Sequence, residues 1–158
     1  MVIAFSPVVP DTIRREILID APPRVVWSIV TEPQHLAGWF SDEAEIDLRP
    51  GGRMLLTWRE HGAYEGRVET VEPPRLLAFR WQTRERQFSE TNSTLVVMTL
   101  EAEETGTRLR IVESGFAKLP WPEEARARYA DENSRGWLTE LDELREYVAR
   151  TVGANSDR

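Results

Sequence analysis

The feature that most constrains this chain is a narrow apolar seam near its end, laid down after a long run of strand-like segments. With Trp137 as zero and about 100° per residue, Ala130, Leu141, Leu144 and Val148 fall on its side of one helix. Tyr129, Asn133 and Tyr147 flank that stripe, while Arg135, Asp142, Glu143 and Glu146 point away. From Glu123 to Arg150 the helix measures roughly 42 Å at about 1.5 Å per residue, more than a simple lid needs. Pro122 lies near its first turn and Glu123 and Glu124 put negative charge where the helix dipole favours it. Gly153 is the expected stop. A helix with one apolar stripe has to lie across something, and the preceding residues supply a sheet.

Thr12 to Ile19 alternates, with Ile13, Arg15, Ile17 and Ile19 on one face. Asp20-Ala21-Pro22-Pro23 ends that strand and opens a helix carrying Val25, Val26, Trp27, Ile29 and Val30, with the aspartate expected near the N-cap. Glu32-Pro33 breaks it, and a second short helix runs to Gly38-Trp39-Phe40. Strands then follow in series: Glu43–Leu48, Arg53–Glu60, Ala63–Val71, Leu76–Gln82, Thr94–Glu101 and Thr107–Ser114. Pro50-Gly51-Gly52, His61-Gly62 and Pro73-Pro74 supply the turns between them. The polar stretch from residue 84 to residue 93 is the longest loop. Strands joined by hairpins make an antiparallel sheet with one buried face, and the terminal helix is its natural cover. A twisted sheet of seven strands is not filled by one helix alone, so large side chains or a pocket must occupy the remainder.

The pattern predicts an extended leader over residues 1–11, one domain over 12–152 and a flexible tail over 153–158. At 158 residues such a domain buries a core without staples. There is no cysteine, which excludes disulfides and thiol chemistry, and the two histidines, His35 and His61, stand in unrelated segments. A net charge of −7 without a basic stripe argues against nucleic acid or an anionic membrane as partner. The first residues lack the basic and apolar regions of a signal peptide, and no apolar run reaches membrane-spanning length, so a cytoplasmic location is expected.

Six short motifs in order carry a resemblance. They are Ile17-Leu18-Ile19-Asp20-Ala21-Pro22 with Val26-Trp27; Trp39-Phe40; Leu48-Arg49-Pro50-Gly51-Gly52; Glu72-Pro73-Pro74-Arg75-Leu76; Gly106-Thr107-Arg108-Leu109 with Ser114-Gly115-Phe116; and Gly136-Trp137 with Leu141 and Leu144. Together, over residues 12–150, they resemble the activator of heat-shock protein 90 ATPase homologue-like branch of the START/SRPBCC superfamily. That resemblance implies an α+β helix-grip fold, a curved seven-stranded antiparallel sheet wrapped around the C-terminal helix and enclosing a mostly apolar cavity. It leaves the activity open, since members include carriers, receptors, cyclases, resistance proteins and co-chaperone domains.

The inward positions are rich in aromatics: Trp58, Tyr64, Phe79, Trp81 and Trp137, with Met54 and Met98 as adaptable fillers and Leu56, Val68, Val96, Ile111 and Leu141 beside them. Two readings stand side by side, a packed core and the wall of a site for a small hydrophobic or aromatic molecule. Gly66 and Gly136, glycines inside regular elements, suggest close packing or room for a ligand. Trp39 and Phe40, with Phe116, Leu119 and Trp121 of the connector, read either as small local cores or as gates at the cavity entrance.

Two inward charges break the apolar alternation, Arg15 and Glu113. With the first strand beside the last, they are expected as neighbours at one end of the cavity, with Asn133 and Tyr129 opposite, either as a structural ion pair or as a ligand anchor. Glu43, Glu45 and Asp47 form an acidic row that reads as a solvated face. No nucleophile elbow, phosphate loop or dinucleotide fingerprint is present, and no histidine is placed to activate Ser28, Ser41 or Ser114. The expectation is a cofactor-free, metal-free binding protein, monomeric or homodimeric. A cyclase-, dehydratase- or hydrolase-like enzyme using the same cavity, and a co-chaperone-like interaction module, are the alternatives.

Overall fold

The computed structural model of the chain describes residues 9–83 and 88–156. The leader expected over residues 1–11 and the loop expected over residues 84–93 therefore lie partly outside the described residues, as does the end of the expected tail. The elements in order are β1 (Thr12–Ile19), α1 (Pro23–Thr31), α2 (Pro33–Trp39), β2 (Glu43–Ile46), β3 (Arg53–Trp58), β4 (Gly62–Glu72), β5 (Leu76–Gln82), β6 (Ser93–Glu103) and β7 (Gly106–Ser114). A single 3-10 turn at Phe116–Lys118 leads into α3 (Glu123–Ser156).

All seven strands form one antiparallel sheet in the order β1-β7-β6-β5-β4-β3-β2. Successive strands from β2 to β7 are neighbours, as is usual for strands that follow one another in the chain, and β1 closes the far edge beside β7. A bulge between Val68 and Thr70 bends β4. The Pro50-Gly51-Gly52 turn seats on that bend, Gly51 N donating to Val68 O and Val68 N to Gly52 O, both at 2.8 Å. Both glycines are required there: Gly51 has φ 84°, and a Cβ on Gly52 would lie 1.9 Å from the Asp47 carbonyl oxygen.

Prolines begin both short helices, where a missing N–H costs nothing. Asp20 does not cap α1 as expected; Pro22 occupies the N-cap, with no side-chain hydrogen bond. Nor does Gly153 end α3, which continues to Ser156.

The α3 seam packs as its spacing predicts: Ala130, Trp137, Leu141, Leu144 and Val148 are all buried, while Arg135, Asp142, Glu143 and Glu146 are exposed. This is the helix-grip arrangement, with α3 laid in the hollow of the sheet. Near its end α3 also meets α2. Tyr147 hydroxyl lies 2.7 Å from His35 Nδ1, and its ring covers Gly38, where a Cβ would come within 2.5 Å of Tyr147 Cε2. Among the described residues, no helix is long and apolar enough to cross a membrane.

Candidate functional site

Alternation along β7 turns Leu109, Ile111 and Glu113 to the same inner face, so a carboxylate enters the core as a consequence of strand geometry. Glu113 is fully buried. Its Oε2 accepts from Thr94 Oγ1 at 2.6 Å, Trp81 Nε1 at 3.0 Å and Asn133 Nδ2 at 3.0 Å. Its Oε1 accepts from Trp137 Nε1 at 2.9 Å. The donors come from β6, β5 and α3, and all are neutral. Both carboxylate oxygens are engaged, Oε2 by three donors and Oε1 by one, so the group is satisfied without a cation among the described residues. Burial pushes its carboxyl up from the ordinary value of 4.5, against the opposing pull of the four hydrogen bonds.

Around this carboxylate the rings order themselves. Phe40 stacks on Trp137 with centroids 5.6 Å apart and on Trp81 at 6.0 Å, and Trp81 stacks on Trp137 at 5.7 Å. Phe40 also meets Trp58 edge-on at 5.3 Å, and Trp58 meets Tyr64 edge-on at 5.4 Å. Beyond this cluster the sheet and α3 part to leave a half-open cavity of about 160 Å³, lined by Trp58, His61, Tyr64, Trp81, Gln82, Tyr129 and Asn133. Trp81 and Asn133 serve twice, as cavity wall and as donors to Glu113. Larger grooves of about 300 and 360 Å³ occur beside β1 and β7, with no aromatic side chain among their described wall residues.

Of the inward positions singled out above, the cavity brings together Trp58, Tyr64, Trp81, Tyr129 and Asn133. Met54, Leu56, Val68, Phe79, Val96, Met98, Ile111 and Leu141 are buried in the hydrophobic core, away from its wall. Trp137 lies behind Trp81 in the ring cluster. Trp39 is anchored by Nε1 donating to Ile29 O at 3.0 Å, and Phe40 is the centre of the aromatic cluster, so both pack as core. Phe116 and Leu119 are likewise buried, Phe116 against Tyr129.

Gly66 serves close packing of β4 on β5, since a Cβ would lie 2.5 Å from Arg80 O. Gly136 serves neither packing nor cavity among the described residues, since a Cβ at that position would meet none of them within 4 Å. The acidic row Glu43, Glu45 and Asp47 is exposed.

The expected pairing of Arg15 with Glu113 is not formed. The register sets Ile13 opposite Glu113 and Arg15 opposite Ile111, so the two charges are offset along the sheet. Arg15 instead donates from Nε to Ser134 O at 3.2 Å and from Nη2 to Ser134 Oγ at 2.8 Å, on α3. Sequence reasoning also missed two wall residues. His61 reads as part of a turn and Gln82 as the outward neighbour of Trp81, yet both border the cavity where the β3–β4 hairpin and the end of β5 come together. Gln82 is fixed there by Glu65 N donating to its Oε1 at 2.9 Å.

A family model described as Activator of Hsp90 ATPase homolog 1-like protein matches residues 20–149. No curated protein sequence shows a significant match. Among solved structures, protein MLL2253 from Mesorhizobium loti superposes with a TM-score of 0.76 at 26% identity, covering 89% of this chain and 98% of that one. CalU16 from Micromonospora echinospora gives 0.65 at 26% identity, covering 92% and 81%. The Aha1 dimer from Colwellia psychrerythraea gives 0.72 over 87% and 95%, but at 18% identity it speaks for the fold alone.

Proposed function

The chain belongs to the Activator of Hsp90 ATPase homolog 1-like protein family, and from that membership we propose that it binds a small hydrophobic or aromatic molecule, without a cofactor, between the sheet and α3. The observation that carries this reading is the wall itself: the aromatic side chains of Trp58, Tyr64, Trp81 and Tyr129 around about 160 Å³, interrupted by a few polar groups. An apolar hollow of about 150 Å³ accepts benzene, whereas sites that engulf drug-sized ligands begin near 300 Å³. The cavity is therefore sized for one ring system, and its open side lets the rest of a larger ligand extend outward. Glu113 reaches the cavity only through Trp81 and Asn133, which supports binding over catalysis. Carrier, sensor and resistance-type roles all fit such a site, in a monomer or a homodimer.

The test is a titration of the protein with 2-naphthol followed by ¹H–¹⁵N correlation spectra. The Trp58 and Trp81 indole signals should shift together and saturably, and Trp58→Leu should weaken the affinity. Absence of any indole shift at millimolar probe would sink the reading.

A further inference from the structure

Resting on that ligand site, we propose that the cavity selects aromatic ligands bearing a hydrogen-bond donor, such as a phenolic O–H or a ring N–H, because Glu113 locks the Asn133 amide with its carbonyl oxygen left for the ligand. A carboxylate oxygen only accepts, so the half of the amide turned toward it must be the NH2 group. The observed contact is Asn133 Nδ2 to Glu113 Oε2 at 3.0 Å. Asn133 also lines the cavity, and its Oδ1 has no partner among the described residues. Protonation of Glu113 would not release the lock. Oε1 accepts a single N–H, from Trp137, so a proton finds its free lone pair there and Oε2 remains an acceptor toward Asn133.

The other wall groups sharpen this polarity. The Trp81 N–H is engaged by Glu113 and Thr94, and the Trp58 N–H by Phe40 O at 2.9 Å, so both indoles offer only ring surface. Gln82 keeps its Nε2 available, because Glu65 N occupies its oxygen. The Tyr64 hydroxyl and the His61 ring adapt to either role, whereas Asn133, among the described wall residues, presents an acceptor whose orientation is imposed from behind it.

Two probes of similar size separate this inference from the ligand site itself: 2-naphthol, which has a donor, and 2-fluoronaphthalene, which has none. The quantity read is the ratio of their Kd values, measured by NMR titration in wild type and two variants, so that differences in hydration of the probes cancel. Wild type should prefer 2-naphthol, and Asn133→Leu should cut that preference about tenfold, the worth of one hydrogen bond. Glu113→Gln retains Asn133 but can present either end of an amide to it, so the preference should fall there as well. If both probes bind and the ratio is the same in wild type and both variants, the inference is overturned while the ligand site stands. If neither probe binds wild type, both fall together.

Discussion

Trp137 Nε1 on α3 donates to Glu113 Oε1 on β7 at 2.9 Å, so the long helix and the last strand meet at a hydrogen bond inside the core. Both residues are buried, at 3% and 0% exposure. An apolar seam tolerates small rotations of a helix about its axis, whereas a directed bond to a buried carboxylate does not. Thr94 and Trp81 tie β6 and β5 to the same group, so one side chain sets the orientation of three elements around the cavity.

Removing the Trp137 ring combines a cavity with an orphaned carboxylate oxygen. Trp137→Ala should cost about 3–5 kcal/mol in urea unfolding. Trp137→Phe keeps most of the packing and should cost about 1–2 kcal/mol, the share of the lost hydrogen bond. Equal losses in the two variants would mean that the bond contributes nothing.

Glu113→Gln leaves an NH2 group facing buried donors and should destabilise by about 2–3 kcal/mol at pH 5. The sign with pH follows from burial, which raises the Glu113 carboxyl above its ordinary value of 4.5. The folded state holds that proton more tightly, so the associated stability is fully present below 4.5 and is lost as pH rises through the folded-state value. Glutamine does not titrate, so the gap between wild type and variant should narrow from pH 5 to pH 8 in urea unfolding. A widening gap would show that the four hydrogen bonds outweigh burial.

Glu140 carries the second titratable strain. Burial, with Glu143 close by on α3 as a smaller contribution, raises its carboxyl to about 7, and its Oε2 is buried without a partner among the described residues. Stability from its protonated form is present below 4.5 and lost as pH rises through about 7. Glu140→Gln should therefore exceed wild type at pH 8 and match it near pH 4.5. The gain is on the order of 1 kcal/mol, since a partly exposed group is screened by solvent. Thermal melts at the two pH values read it directly.

Two helical glycines should respond in opposite directions to alanine. At Gly136 a Cβ meets none of the described residues within 4 Å, so Gly136→Ala should raise stability by up to about 1 kcal/mol through helix propensity alone. At Gly38 the same atom would come within 2.5 Å of the Tyr147 ring, whose hydroxyl is held by His35. Gly38→Ala should destabilise and perturb the Tyr147 ring resonances, because the ring cannot yield without giving up that bond. Similar melting temperatures for the two variants would contradict this.

The architecture was readable because it rests on local signals. The period of Ala130, Trp137, Leu141, Leu144 and Val148 named the buried face of α3, and alternation along β7 exposed Glu113 as an inward charge. The partners of that charge were only half readable. Asn133 was expected near it, but Arg15 was too, and a register that pairs Arg15 with Ile111 sends the guanidinium to Ser134 instead. His61 and Gln82 escaped notice because their place on the wall depends on where strand ends converge.

Periodicity and turn chemistry act over a few residues, so the sequence by itself determined the elements, their antiparallel order and which faces are apolar. The donors to Glu113 lie 19 to 32 positions from it along the chain, and no local pattern relates them. Their convergence, the orientation it forces on Asn133 and the volume left beside Trp81 were decided only when the sheet closed on α3. Directed hydrogen bonds and close packing depend on distances that exist only once those elements are docked.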